Sequence, residues 1–337
     1  MPRTPASDPA AASDHADRLV LTASTTPEAT PVLIANNATR PAEPTRFADA
    51  TDGVKLAIYE YGSRDRPTAL FVHGFPDDHT VWEPVIALAV SDYHVVTYDV
   101  RGTGASGQPA NRNGYAMSQL RDDLAAVISA TSPEAPVHLI AHDWGSIQSW
   151  SAATDPSFAD RLASFTSISG PSLDIAGIWL RQGHRHPRNF LRQLARSWYI
   201  FAFQVPFLPE ALVRRGVVEK MVSRSESIGV PADRRPPARR RHRDAVNGIE
   251  LYRANFRHLL RPRPDRVVCP VQVLAPTDDA HVTVPLGLEA PQPFVDRLHT
   301  REIPGNHWVV EQNPTLITTL VTEFINTDFK DPNGDAR

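Results

Sequence analysis

The run from Pro136 to Trp150, PVHLIAHDWGSIQSW, changes its hydrophobic period part-way along. Val137, Leu139 and Ile140 form a short apolar strand pattern with a β-branched bias, whereas Ile147 and Trp150 fall at helical spacing. The change comes at Asp143. Around it, Ala141-His142-Asp143-Trp144-Gly145 follows a small-x-nucleophile-x-small pattern, in which small flanking residues let the backbone turn sharply and hold one side chain at the carboxyl end of the strand. A carboxylate stands where a serine is usual. The simpler role for Asp143 is to cap the helix that follows, since Asp is a preferred N-cap, so its meaning depends on the rest of the chain.

Upstream, Val54–Tyr61 and Thr68–Val72 read as strands joined by a turn over Gly62–Pro67, and Tyr93–Tyr98 reads as a third. The second strand runs into His73-Gly74-Phe75-Pro76, where glycine permits close backbone approach and proline stops the strand. The backbone amide of Phe75, with that of Trp144, is a candidate oxyanion hole. The glycine-rich loop Arg101-Gly-Thr-Gly-Ala-Ser106 has neither the Lys-Ser/Thr of a P-loop nor the full dinucleotide pattern, and reads as structural. Tyr115–Ala130 is amphipathic at helical spacing, and Leu162–Ile168 is a further strand, so strands and helices alternate as in a parallel sheet with helices on both faces.

After Pro171 the alternation stops. About 90 residues of helical pattern, rich in Arg, Trp and Phe, precede the buried strand PVQVLAP at Pro270–Pro276; Arg301–Pro304 reads as a last strand and Pro314–Phe324 as a closing helix. Charge marks the same division. The whole chain of 337 residues has a net charge of −3, but residues 171–264 carry 19 Lys and Arg against seven Asp and Glu, leaving the remainder acidic. The expected organisation is an N-terminal tail over 1–45, a core over 46–170 and 265–328, an inserted helical cap over 171–264, and a C-terminal tail over 329–337. Cys269, the sole cysteine, excludes an intrachain disulfide and reads as a buried inert thiol. Without a secretory leader or a run of about 18 apolar residues, the chain is expected to be cytoplasmic. Nothing in the charge points to a nucleic-acid partner, and no metal-ligand cluster or cofactor motif appears.

A carboxylate nucleophile needs a base to activate water and a second acid to orient that base, both at later strand ends. Asp278 and Asp279 follow PVQVLAP, and Gly305-Asn306-His307-Trp308 follows the last strand, so the chain order is nucleophile, acid, base. His73, His142 and His281 read as structural.

At this point HGFPD at His73–Asp77, RGTGAS at Arg101–Ser106, HDWGS at His142–Ser146 and GNHW at Gly305–Trp308 together resemble the α/β-hydrolase-fold epoxide hydrolases. The resemblance covers roughly Thr45–Asn326. It is nearest to the hydrolase part of actinobacterial proteins in which such a domain precedes a short-chain dehydrogenase; a second domain of that kind is not expected here. The resemblance implies an α/β-hydrolase fold with a helical cap, no cofactor, and two cap tyrosines that hold and protonate the epoxide oxygen, matched by Tyr199 in WYIFAFQVP and Tyr252 in LYRANF. It favours Asp279 over Asp278 as the acid. A phenol suits the assignment because it is a neutral donor at pH 7.

The expected reaction is attack of Asp143 on an epoxide carbon, followed by His307-assisted hydrolysis of the ester to a diol. A haloalkane dehalogenase shares the carboxylate, histidine and tryptophan but leaves the paired tyrosines unexplained; a serine esterase is opposed by the absence of G-x-S-x-G. A catalytically silent binding protein of the same fold is the alternative from another class. The apolar residues from Trp198 to Leu208 suit a hydrophobic substrate, while RRPPARRRHR at Arg234–Arg243 reads as a solvated loop, with attraction to anionic lipid surfaces as the sharper alternative.

Overall fold

Eight strands form a single sheet in the order β1-β2-β4-β3-β5-β6-β7-β8. They are β1 Arg46–Asp49, β2 Lys55–Tyr61, β3 Thr68–Val72, β4 His94–Tyr98, β5 Val137–His142, β6 Leu162–Ile168, β7 Val271–Pro276 and β8 Leu298–Ile303. β2 runs antiparallel to both β1 and β4, and every other pair is parallel. This computed structural model describes residues 43–231 and 240–328. Most of the expected N-terminal tail, the whole C-terminal tail and Arg234–Arg239 of the basic segment lie outside the described residues.

The central strands β3, β4 and β5 are buried at every position, as their continuous apolar runs require when both sheet faces are covered. The two ends of the sheet depart from that pattern. β8 extends three residues further towards the N-terminus than its apolar signal suggested, because LHTREI is an edge strand whose four central residues face solvent. β1 was not anticipated at all. Its four residues, RFAD, are too few to show a period, and they are held by pairing with β2; Thr45 already joins this pairing, donating its amide to the Ile58 carbonyl at 2.8 Å. The helix Glu83–Ala89 was likewise missed, being only seven residues long.

Among the described residues six α-helices lie between β6 and β7: Leu173–Arg181, Pro187–Arg196, Trp198–Ala202, Leu208–Arg214, Val217–Glu226 and His242–Leu260. They form a cap over the carboxyl ends of the strands, and part of the basic segment fixes it there. Arg240 is not a solvated side chain: it donates to Asp77 at 2.6 Å and to Glu226 at 2.7 Å, and its guanidinium lies 5.0 Å from the Trp308 ring. Trp308 donates its indole N–H to the other Asp77 oxygen at 2.9 Å, and the Asn306 side-chain amide donates to the carbonyls of Glu226 and Ile228. One loop from β3, one from β8 and one cap helix are thereby tied to a single point.

The glycine-rich loop after β4 is structural. Arg101 is fully buried and donates to Asp123, Asp52 and the Gly114 carbonyl, while Ser106 accepts from the Ala57 amide and donates to the Asp99 carbonyl. Burial raises Asp123 to about 6 even with Arg101 beside it. Removing the guanidinium would strand that carboxylate without a partner. Arg101→Ala is therefore expected to cost about 3–5 kcal/mol, read as a lowered urea unfolding midpoint with an unchanged slope.

Candidate active site

Asp143 sits between β5 and the helix Trp144–Ala153 with φ 51° and ψ −124°. This left-handed backbone costs a non-glycine residue of order 1–3 kcal/mol and persists only where surrounding contacts fix it. Here the Asp143 amide donates to the Ile168 carbonyl, the Asp143 carbonyl accepts from Ile147, and Ser146 and Trp150 both donate to the Gly170 carbonyl beneath the turn. Gly145 is required by close approach: a Cβ there would run into the carbonyls of Val72 and His73. Gly74 is required similarly, since a Cβ would strike the Asp143 carboxylate and the Trp144 amide.

The Asp143 side chain does not cap its helix. One oxygen, Oδ1, accepts the Phe75 amide at 2.7 Å, and the Trp144 amide also donates to this carboxylate. The other, Oδ2, lies 3.3 Å from His307 Nε2. On its far side His307 Nδ1 contacts both oxygens of Asp279, at 3.1 and 3.0 Å. Asp279 is further fixed by the amides of His281 and Val282, at 2.7 and 2.9 Å, whereas Asp278 faces solvent and bonds only to Thr277. The structure thus brings Asp143, His307 and Asp279 into one hydrogen-bonded line and leaves Asp278 out.

Burial opposes charge on all three groups, but their mutual contacts outweigh it. Asp143 and Asp279 are both held below the ordinary carboxylate range by His307, and His307 is raised by the two carboxylates.

Tyr199 and Tyr252 enter from the cap, on different helices, with ring centroids 5.9 Å apart and interacting side chains. Tyr252 is wedged edge-on against Phe75 and Trp144, at 5.4 and 4.9 Å. Burial, with the Asp143 charge added, pushes both phenols above their ordinary values. Asp143, Tyr199, Tyr252 and His281 line both of two adjoining apolar cavities, of about 360 Å³ on the Phe75, Val218 and Met221 side and about 110 Å³ on the Ile147, Phe256 and Leu259 side.

His281, read from sequence as structural, therefore belongs to the site. Its ring centroid is 4.7 Å from that of His307 and 5.4 Å from that of Tyr199, and its Nε2 is 3.3 Å from Ser225 Oγ. Burial and the neighbouring His307 charge lower it to about 4, so it is a neutral polar group in the cavity wall. Its place two residues after Asp279 was the available signal. His142 and His73 are structural: His142 is fully buried with Nε2 2.8 Å from the His307 carbonyl, and His73 Nε2 accepts the Val100 amide. Among the described residues no group of three His, Cys, Asp or Glu could hold a metal ion.

Residues 67–314 match the family described as alpha/beta hydrolase fold. The chain belongs to the α/β-hydrolase-fold family. This hydrolase-fold protein is 36% identical over 300 residues to the probable oxidoreductase EphD of Mycobacterium tuberculosis, a match covering 86% of the chain and 50% of that relative. The chain thus spans about half the length of the relative. It is 33% identical over 171 residues to epoxide hydrolase A of Mycobacterium tuberculosis, covering 50% of each. Among solved structures, a mutant of an epoxide hydrolase from Bacillus megaterium superposes with a TM-score of 0.70 at 21% identity, covering 84% of this hydrolase-fold chain and 100% of the other. That likeness is one of fold.

Proposed function

We propose that this protein is an epoxide hydrolase acting on hydrophobic epoxides through an ester of Asp143. The observation that carries the reading is the pairing, across one apolar cavity, of a buried carboxylate held by two amides and a histidine with two phenol donors. Tyr199 and Tyr252 hydrogen-bond the ring oxygen while Asp143 Oδ2 attacks a ring carbon. The C–O bond of the ring breaks, and a phenol proton neutralises the alkoxide. The ester carbonyl is then Oδ1, already accepting the Phe75 amide, with the Trp144 amide beside the same carboxylate. His307, oriented by Asp279, takes a proton from water as the water attacks Cγ. The tetrahedral oxyanion falls on those amides, each such donor being worth about 3–4 kcal/mol; on its collapse the imidazolium gives its proton to the departing Oδ2, which leaves in the diol, and the proton of the new Asp143 carboxyl restores the phenol.

The assignment of oxygens gives the test. Under single turnover in 18O-water the heavy label should appear in the Asp143 peptide and be absent from the first diol released. Label in the first diol alone would mean direct attack by water and would sink the ester route. The Trp144 indole N–H is buried against the Tyr252 side chain, and such a donor in the cavity wall favours a second reading, a haloalkane dehalogenase that uses it as a halide donor. Phe75 offers no second side-chain donor. Halide release from haloalkanes, without diol formation from epoxides, would select that reading.

The charges also fix a pH dependence. Ring opening needs Asp143 ionised and the phenols protonated, and both states are extended beyond their ordinary ranges, so this step should be flat across neutral pH. Ester breakdown needs neutral His307. In the resting protein two carboxylates hold its proton; esterification removes the Asp143 charge, so His307 releases its proton more easily. Ester breakdown in stopped-flow should therefore rise with pH through a pKa below that of His307 in the resting protein, the latter read by imidazole NMR. An ester-stage value equal to or above the resting one would count against His307 as the base.

A further inference from the structure

Apart from Phe47, every strongly exposed large apolar side chain among the described residues lies on the cap, between Leu191 and Leu260. Several of these also belong to the cavity walls. Trp198 and Met221, 56% and 40% exposed, line the larger cavity, and Phe201, 54% exposed, lines the smaller, so the apolar surface surrounds the openings to the site. Between them in the chain, Phe207 is 82% exposed and sits at φ 63°, a left-handed conformation that glycine adopts at lower cost. The fold gains little from that ring.

Charge on the same element is equally one-sided. Each described cap carboxylate already has a basic partner: Asp174 with His258, Glu210 with Arg253, Glu219 with His242, Glu226 with Arg240, Asp244 with Arg243, and Glu250 with Arg112 and Arg253. Arg188, Arg192, Arg215 and Arg224 are exposed and have no ion pair among the described residues; Arg224 also lines the larger cavity. Exposed aromatics interspersed with unpaired cations match a bilayer interface, where rings sit at the headgroup boundary and arginines meet anionic lipid. Protein interfaces are also enriched in aromatics and Arg; the feature that favours lipid is that the unpaired charge is of one sign, every described cap carboxylate being already paired.

We propose that the cap is a docking surface for anionic lipid membranes, with Phe207 and its neighbours entering the headgroup region and the cavity openings facing the bilayer. This goes beyond the reaction proposed above, and binding can be read without any turnover. Among the described residues no helix is long and apolar enough to cross a membrane, so the contact is peripheral.

The test is flotation of the purified chain with vesicles of phosphatidylcholine alone or mixed with about a third phosphatidylglycerol, at low and high salt. The protein should float with the anionic vesicles, remain behind with the neutral ones, and be released by salt. Phe207→Ser and the double variant Arg188→Glu/Arg192→Glu should each weaken binding about tenfold or more, since each basic residue near such a surface contributes roughly a fivefold factor. Circular dichroism should stay at the wild-type spectrum in both variants, which separates lost binding from lost fold. Flotation that ignores lipid charge and Phe207, or no flotation at all, overturns the proposal. So does a concentration-dependent dimer that Phe207→Ser dissociates, which would make this face an interface between two copies of the chain.

Discussion

Replacing His307 by glutamine is expected to leave a protein that opens one epoxide and then stops. Glutamine keeps a polar side chain beside Asp279 but cannot take a proton from water at neutral pH. The first step does not use that base; losing the imidazole lets burial raise Asp143, but the Phe75 amide still holds Oδ1 at 2.7 Å, so with the trapping run at mildly alkaline pH the carboxylate remains available to attack. The ester should therefore form and persist. Intact-mass spectrometry should show the protein heavier by the mass of one epoxide, with the adduct on the Asp143 peptide, while kcat falls by roughly a thousandfold, within the range of a lost general base. An Asp143→Ala control should show no adduct. If His307→Gln remains unmodified after long incubation with substrate while wild type turns over, the covalent route through Asp143 fails. If it turns over at a rate near wild type, His307 is not the base.

That separation of steps depends on a geometry only partly legible in the sequence. Asp143 and Asp279 could be placed because each follows a buried apolar strand, and buried strands of a parallel sheet announce themselves as continuous apolar runs, whereas His307 was reached only through the short signal at Arg301–Pro304. The eccentric elements could not. β1 is four residues long and depends on β2 for its hydrogen bonds, while β8 is a polar edge strand. The resemblance favoured Asp279 over Asp278, but the physical reason lies in the coordinates, since one residue of shift along a turn decides whether a carboxylate meets His307 or solvent.

The cap gave the weakest signals, for a physical reason. Its helices are short and amphipathic, and a dense run of arginines reads as solvated whatever its partners. Arg240 is instead enclosed by Asp77, Glu226 and Trp308, residues 163, 14 and 68 positions away along the chain, and no local pattern encodes such a junction. His281 was misread for a related reason. A histidine in a turn after a strand has many structural uses, and only the placement of His307 and Tyr199 against its ring puts it in the cavity wall.

The cap's two tyrosines should reveal themselves by the opposite kinetic signature to His307. Tyr199→Phe and Tyr252→Phe each remove one hydroxyl and keep the ring, so the edge contacts of Tyr252 with Phe75, Trp144 and Phe203 survive. Each single variant is expected to lower kcat/KM about 10- to 100-fold, because the remaining phenol can still donate to the ring oxygen. With both hydroxyls gone the alkoxide would form in an apolar enclosure without an acid to protonate it, and the loss should reach about a thousandfold or more, comparable to removing a buried oxyanion donor. The two effects need not add, since the two side chains interact and line the same cavities beside Asp143. In the double variant no ester should accumulate during turnover, and any ester formed slowly should hydrolyse at the wild-type rate, because His307, Asp279 and the two amides are untouched. A double variant that forms ester at the wild-type rate would remove the phenols from the chemistry. They would then be packing groups, and the case for an epoxide over another alkylating substrate would lose its main support.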